Sequence, residues 1–194
     1  KERNRAVKEI DLAGFVQKNF YNVDTSEIKN WEIKFAFKAM SGVSGDLYIL
    51  FMSENHLNGV GIFDISGHGI ASGLVTMLVK NIIEQEFKKG MKHPLHEVMA
   101  KINERIILEK GSIENYLTGL IIRFSENYCE LVNAGHPKAL LYSAKNKILE
   151  PIEQDGVNQF GAIGIPDFPI SFESLKFKIH KGDEIVLYTD GITE

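Results

Sequence analysis

The chain has 194 residues, of which 44% are hydrophobic and 25% charged, a balance that excludes global disorder and fits one globular domain. Its net charge of −4 gives no general attraction to nucleic acid or to an anionic membrane. The single cysteine, Cys129, excludes an intrachain disulfide and is typical of a reducing compartment, so we expect a cytoplasmic protein. No apolar run reaches the roughly 18 residues of a membrane-spanning helix.

The first 20 residues predict a helix, because apolar residues recur at steps of three or four and form one stripe. The stripe consists of Ala6, Ile10, Ala13, Val16 and Phe20. Two interpretations stay open: the helix packs on its own domain, or it arrives from an upstream sensor domain in the same chain and pairs with a second copy as a homodimer. We therefore divide the chain into a linker helix at 1–22 and a folded domain at 23–194.

Short strands follow this helix. Alternating apolar residues predict a strand over Trp31–Met40, and glycine and serine at 41–45 end it. Two apolar runs, Leu47–Met52 and Val60–Phe63, flank a polar turn at 54–56. They predict an antiparallel hairpin, and their apolar residues on both faces indicate that it is covered on both sides.

The rest of the chain reads as two helices followed by more strands. The helices are predicted at Gly69–Phe87, with Ile70, Leu74 and Ile82 on its apolar side, and at Pro94–Leu108. Strands follow at 117–124, 128–133 and 139–143, with a last hairpin of 174–180 and 184–189. This order predicts an α+β layered fold rather than a doubly wound sheet. Arg105 and Arg123 are expected to be solvated.

Two aspartates lie symmetrically about the predicted turn. Asp46 and Asp64 are each nine positions from Asn55, so symmetric pairing places them opposite each other at the open end of the hairpin. Opposed antiparallel residues have Cβ atoms about 4.5–5.5 Å apart. Two carboxylates at that separation repel each other unless a cation lies between them.

A third aspartate, Asp190, ends the apolar strand near the C-terminus and precedes Gly191. Three aspartates at strand ends, without a Cys or His cluster, favour a hard cation such as Mg²⁺ or Mn²⁺. Simpler roles stay open, because Asp beside Gly is common in turns and Asp64 also suits a helix N-cap. His68 and His136 are interpreted as a helix-start and a turn residue.

Four segments together resemble a known family, the sporulation stage II E branch of bacterial metal-dependent Ser/Thr phosphatases, which includes RsbU-like regulators of sigma-factor networks. The segments are Val43-Ser44-Gly45-Asp46, Phe63-Asp64-Ile65-Ser66-Gly67-His68-Gly69-Ile70, Asn133-Ala134-Gly135-His136-Pro137, and Gly182-Asp183 with Tyr188-Thr189-Asp190-Gly191-Ile192-Thr193-Glu194. Each is modest alone, but the four occur in the family's order over nearly the whole chain.

The resemblance implies an αββα sandwich, two antiparallel sheets flanked by helices, with two Mn²⁺ or Mg²⁺ ions at one end. It assigns Asp64 as the bridging ligand, the Ile65 carbonyl and Asp190 as direct ligands, and Asp46 as a ligand of a metal or of its water. These three aspartates would be the catalytic residues, hydrolysing phosphoserine or phosphothreonine with metal-activated water. The implied substrate is a phosphorylated partner protein, an anti-anti-sigma-like domain.

The sequence also departs from the family pattern. Ser44 replaces a glycine, Leu47 an aromatic residue, and Ile49 stands where an acidic residue is common. The family supplies a further aspartate well beyond the Thr-Asp-Gly motif, so we expect this sequence to be a C-terminally truncated piece of a longer protein. An incomplete ligand set would weaken metal binding, so the piece can be inactive even if the longer protein is active. The departures leave an alternative open, in which the fold is a regulatory binding module with little or no catalysis.

Overall fold

In a computed structural model, the structure describes residues 2–21, 25–37, 43–67, 69–126 and 128–192. The helices are α1 (Glu2–Tyr21), α2 (Ile70–Lys89) and α3 (Leu95–Lys110), and a 3-10 turn covers Asp190–Ile192. The strands are β1 (Asp46–Ser53), β2 (His56–Ile65), β3 (Leu117–Phe124), β4 (Cys129–Ala134), β5 (Leu140–Ser143), β6 (Ile148–Pro151), β7 (Ser174–Phe177) and β8 (Glu184–Val186). Within these ranges, no helix combines the length and apolar character needed to cross a bilayer.

The strands form two antiparallel sheets. The large sheet has the order β1-β2-β3-β4-β7, and the small sheet has the order β6-β5-β8. One core cluster packs α2 and α3 against the large sheet through residues such as Phe63, Ile82 and Met99. A second cluster joins the two sheets, with Leu120 and Leu131 from the large sheet near Leu141 and Ile185 from the small one. This arrangement confirms the predicted α+β fold with two antiparallel sheets.

The β1–β2 hairpin has the predicted register. The ladder begins with Asp46 opposite Asp64 and ends with Ser53 opposite His56, so the turn is the two residues Glu54 and Asn55. The register shifts once, because Phe51 pairs with Gly59 and the next residue pairs with Leu57. This bulge adds one residue to β2. It offsets the short turn, and the two aspartates therefore meet as symmetric pairing about Asn55 predicts.

The predicted strand over Trp31–Met40 is wrong for residues 31–37, which the structure leaves outside both sheets; residues 38–42 lie outside the described ranges. Aromatic contacts account for the alternation. The Trp31 ring lies 4.4 Å from that of Phe124, and the Phe35 ring lies 5.2 Å from that of Tyr48. Alternate side chains therefore pack on neighbouring strands without any ladder.

Among the side chains described on helix α1, the contact with the domain includes a polar residue. Gln17 and Tyr21 are buried, whereas Val16 of the stripe is 44% exposed. The Gln17 side-chain amide donates to the Ser44 carbonyl at 2.8 Å and to the Thr76 hydroxyl of α2 at 3.1 Å, and its oxygen accepts the Ser44 N–H at 2.9 Å. One side chain thus links α1, α2 and the segment that precedes β1.

The buried face of α2 is also rotated from the predicted one. Ile82 is buried as predicted, but Ile70 and Leu74 are 40% and 60% exposed. The buried face carries Ser72, Gly73, Val75, Thr76, Val79, Ile82, Ile83 and Phe87. Small residues are needed there because α1 approaches closely. A Cβ on Gly73 would lie 3.1 Å from Val43 and 3.3 Å from the Gln17 amide nitrogen.

The last predicted hairpin is wrong in its pairing. β7 pairs with β4 in the large sheet, and β8 pairs with β5 in the small sheet. The turn between them does form, but the Asp183 carboxylate accepts the N–H of Ala144 at 2.9 Å as well as that of His180 at 2.8 Å. The turn is therefore attached to the β5–β6 connection.

Arg123 is not solvated, contrary to expectation. It is 8% exposed and forms an ion pair with buried Glu130 on the neighbouring strand. Arg123 also donates to the Gly90 carbonyl at 3.1 Å, and the other Glu130 oxygen accepts the N–H of Leu95 at 3.0 Å. The pair therefore attaches the connection between α2 and α3 to the large sheet. Arg105 differs: its side chain keeps 26% exposure beside Glu86 and Glu109.

Candidate metal centre

The first half of the candidate site is the open end of the β1–β2 hairpin. Asp46 and Asp64 are paired residues in the ladder, so their side chains leave the same face of the sheet at neighbouring positions. Both are half-buried. The residues on either side of Asp64, Phe63 and Ile65, are fully buried in the core. Packing on the opposite face thus fixes the backbone that carries Asp64.

Gly45 allows oxygen atoms to gather at this end. A Cβ at Gly45 would lie 2.8 Å from the Ile65 carbonyl oxygen, 3.5 Å from that of Gly67 and 3.6 Å from the Asp64 Oδ1. The absence of a side chain therefore leaves three oxygens facing one small space. Carbonyl and carboxylate oxygens are the donors that Mg²⁺ and Mn²⁺ prefer.

The Asp46 carboxylate is held by hydroxyl groups. The Ser44 hydroxyl donates to its Oδ2 at 3.2 Å and accepts the Asp46 N–H at 3.1 Å. Burial nevertheless raises the pKa of Asp46, and the charge of Asp190 raises it further, against the hydrogen bonds from Ser44 and Thr189. Without a nearby cation, the ionised form is thus disfavoured.

Asp190 approaches from the small sheet. It begins the 3-10 turn that follows β8, and together with Asp64 it lines a cavity of about 500 Å³ at the ends of the sheets. The remaining lining residues are Ser66, Tyr116, Thr118, Gly135, His136, Pro137 and Lys138. The three predicted aspartates therefore come to one region of the molecule, although Asp64 and Asp190 are 126 residues apart in the chain.

The donors fit a hard cation in kind, although no described group of three His, Cys, Asp or Glu side chains is close enough to hold an ion. The fit therefore depends on the oxygen atoms around Gly45 and on the raised pKa of Asp46. Leu47 and Ile49 do not weaken it. Each is 1% exposed in the core, so neither departure from the family pattern lies at the site.

His136 organises its loop, as predicted, and does more. Its backbone N–H donates to the Asn133 side chain at 2.8 Å, and its carbonyl accepts from the same amide at 2.9 Å. Its ring also contacts the Tyr188 carbonyl and the Thr118 hydroxyl, at 3.1 and 3.3 Å. Burial lowers the pKa of His136 to about 4, against the Tyr188 hydrogen bond and the Asp190 charge. The ring is therefore neutral at pH 7.

Sequence reasoning missed Thr118, Lys138 and the ring contact of His136. The His136 motif was visible, but its partner is 52 residues away, and only the tertiary fold brings the two together. His68 lies outside the described residues. Cys129 is buried, and burial raises the pKa of its thiol to about 11, so it is not a reactive thiolate at neutral pH.

Two packed antiparallel sheets, with α2 and α3 on the large one, define the α+β class of fold, and a family comparison gives the membership. A family model for stage II sporulation protein E (SpoIIE) matches residues 55–194. The chain belongs to the SpoIIE family, which confirms the resemblance seen in its four motifs.

Two curated relatives come from Bacillus subtilis (strain 168). Phosphoserine phosphatase RsbP is 27% identical over 96% of this chain and 45% of its own length. Phosphoserine phosphatase RsbU is 24% identical over 96% of this chain and 53% of its own length. The chain thus spans about half the length of the curated relatives it matches.

Solved structures show the same fold. The SiaA-PP2C domain of Pseudomonas aeruginosa superposes with a TM-score of 0.73 at 16% identity, covering 98% of this chain and 74% of that domain. The catalytic domain of the serine threonine protein phosphatase PstP, solved with two manganese ions, superposes with a TM-score of 0.56 at 15% identity, covering 75% of this chain and 71% of that one. RsbX, solved with magnesium, superposes with a TM-score of 0.52 at 14% identity, covering 77% and 67%. At these identities the likeness is evidence for the fold.

Proposed function

We propose that this protein is a metal-dependent phosphoprotein phosphatase that hydrolyses phosphoserine or phosphothreonine in a regulatory partner protein. The observation that carries the proposal is the pairing of Asp46 with Asp64 beside the oxygen-lined space at Gly45, with Asp190 facing the same cavity. Membership of the SpoIIE family and the two phosphoserine phosphatase relatives support the reaction class.

The cofactors would be two divalent cations, Mn²⁺ or Mg²⁺. Asp64 would bridge them, the Ile65 carbonyl and Asp190 would bind directly, and Asp46 would bind a metal or its water. Such ions neutralise phosphoryl charge and make hydroxide available near neutral pH. Asp46 supports this assignment, because burial and the Asp190 charge raise its pKa, and a nearby cation favours the ionised carboxylate.

The cavity also suits a phosphorylated side chain. Lys138 is at its wall, where it pairs with Glu153, and its ammonium can attract a dianionic phosphoryl group. Ser66 and Thr118 add hydroxyl groups to the lining. The lining therefore offers carboxylates for cations, and a lysine and hydroxyls for phosphoryl oxygens.

We further propose an anti-anti-sigma-like domain as the partner, residues 1–22 as a linker and residues 23–194 as the phosphatase domain. The linker would connect an upstream sensor domain in the same chain, within the cytoplasm. Exposed Leu12 and Phe15 on α1, 63% and 65% exposed, support pairing with a second copy. Buried Gln17 supports a connection from this helix to the segment before Asp46.

The experiment compares substitutions of two aspartates, Asp64 and Asp183. Asp64 follows apolar Phe63 near the end of β2, and Asp183 follows Gly182. Asp64→Asn should abolish Mn²⁺-dependent phosphate release from p-nitrophenyl phosphate and from a phosphoserine protein, while the circular dichroism spectrum stays that of the wild type. The matched control is Asp183→Asn, because Asp183 binds the N–H groups of its own turn and of Ala144 instead of lining the cavity. It should keep its turnover.

Equal turnover in the Asp64→Asn protein and the wild type would refute the metal assignment. Calorimetry with Mn²⁺ tests the alternative function as well. A full-length wild-type protein that neither binds Mn²⁺ nor hydrolyses either substrate would be a phosphatase-fold regulatory module.

A further inference from the structure

The backbone that carries Asp190 leaves its sheet before it reaches the site. The β5–β8 ladder runs from Tyr142–Glu184 to Leu140–Val186, and residues 187–189 continue outside it to the 3-10 turn. A three-residue strand paired on one side constrains its extension weakly. Contacts from the other sheet must therefore define where Asp190 lies.

The His136 ring provides such a contact. A backbone carbonyl can only accept, so the 3.1 Å contact between Nε2 and the Tyr188 oxygen requires the proton on Nε2. In the neutral ring, Nδ1 is then an acceptor for the Thr118 hydroxyl at 3.3 Å. His136 is 5% exposed, so these two bonds hold the ring between β3 and the segment before Asp190.

A neighbouring contact ties the same segment to the first half of the site. The Thr189 side chain faces the Asp46 carboxylate and lowers its pKa. The His136 bond fixes the main chain at residue 188, next to this side chain. Both partners on the other side belong to the large sheet or to the loop that leaves it.

The loop role of His136 is separable from its ring. The Asn133 side chain bonds the backbone N–H and the backbone carbonyl of His136, not its ring. A substitution at 136 keeps both backbone groups. A variant at this position therefore removes the ring contacts while keeping the Asn133 bonds.

We infer that His136 is a positioning residue: its Nε2–H holds the Tyr188 carbonyl so that Asp190 lies against the carboxylates of the large sheet and completes the cation site. The inference rests on the proposed function for the identity of the cation. The placement of residues 187–190 does not depend on it. Groups that orient metal ligands typically change metal affinity by about 10–100-fold when they are mutated.

The test compares His136→Gln with His136→Asn. The glutamine amide nitrogen is as many bonds from Cα as Nε2 and can donate to Tyr188, whereas the asparagine amide reaches only the position of Nδ1. Hydrogen exchange of the amides at 187–192 is measured first in metal-free protein. We expect exchange near wild type in the glutamine variant and faster exchange in the asparagine variant.

Mn²⁺ affinity is then measured by calorimetry. The asparagine variant should bind about 10–100-fold more weakly than wild type, and the glutamine variant should be within about threefold, a difference that a generally loosened fold would not produce. Equal exchange rates and equal affinities in the two variants overturn the inference. A wild type that binds no Mn²⁺, with exchange still faster in the asparagine variant, overturns the proposed function and leaves the positioning role supported.

Discussion

The large and small sheets contribute to one site by different means. Asp46 and Asp64 are on a ladder of eight residue pairs backed by a buried core. Asp190 follows a three-residue strand, and its segment is held by the hydrogen bond that the His136 ring donates to the Tyr188 carbonyl. Moving a side chain that a long ladder and a buried core hold in place costs much free energy. A segment held by a few hydrogen bonds can shift at a lower cost. One half of the site is therefore preformed and the other is adjustable.

The largest expected effect is a loss of stability in the large sheet, which carries Asp46 and Asp64. Arg123→Met leaves Glu130 as a buried, unpaired charge, and should lower the free energy of unfolding by roughly 3–5 kcal/mol. Urea denaturation followed by circular dichroism at pH 7 measures it. Arg105→Met is the matched control, because that arginine forms more exposed ion pairs and should cost less than about 1 kcal/mol. Equal losses of unfolding free energy in the two variants would show that the buried Arg123–Glu130 pair does not stabilise the large sheet more than the exposed pairs do.

The next effect concerns the bond between the halves. Because burial lowers the folded-state pKa of His136 from 6.5 to about 4, the unfolded chain binds the proton first as pH falls. The contribution of His136 to stability is complete above pH 6.5, decreases between pH 6.5 and 4, and amounts to on the order of 3 kcal/mol. The pKa of about 4 already includes the effect of the nearby Asp190 charge, which raises it.

Urea denaturation at pH 7 and at pH 4 measures this dependence in wild type and in His136→Gln. Other titrating groups are common to both proteins. The loss of stability from pH 7 to pH 4 in wild type, minus the same loss in His136→Gln, therefore reports the contribution of His136. Stability should fall less in the glutamine variant. An identical fall in both proteins would contradict burial of a neutral ring.

The smallest expected effects on stability come from substituting the two glycines beside the aspartates, Gly45 next to Asp46 and Gly191 next to Asp190. Gly45→Ala places a Cβ 2.8 Å from the Ile65 carbonyl, so it should cost about 1–3 kcal/mol and prevent Mn²⁺ binding. Gly191→Ala meets its nearest atom at 4.0 Å and should change stability by less than about 0.5 kcal/mol. Thermal unfolding and calorimetry measure both. A tolerated Gly45→Ala would remove the case for a preformed half.

The sequence predicted the features whose causes are local. Periodicity located the helices and β3, and the turn at Glu54–Asn55 led to the pairing of Asp46 with Asp64. That success depended on a bulge that no pattern indicated. The end of an apolar strand brought Asp190 into the candidate set, and the four motifs identified the family.

The failures arise from long-range contacts. The turn at Lys181–Asp183 is ordinary hairpin chemistry, and nothing local shows that Asp183 also binds Ala144 and directs β8 to the small sheet. Arg123 is buried only because Glu130 is on the next strand. The ring contact of His136 likewise requires a partner that is distant in sequence.

The bulge in the first hairpin has a consequence for evolution. Side chains alternate between the faces of a strand, so inserting or deleting one residue at the hairpin tip, or straightening the bulge, would slip the pairing by one step. Asp46 would then face Phe63 or Ile65 instead of Asp64, about 25 Å from the altered tip at roughly 3.3 Å per residue. Loop tips usually tolerate length changes, but relatives that retain a working site should conserve the spacing of 18 between these two aspartates, or change it only with a compensating indel.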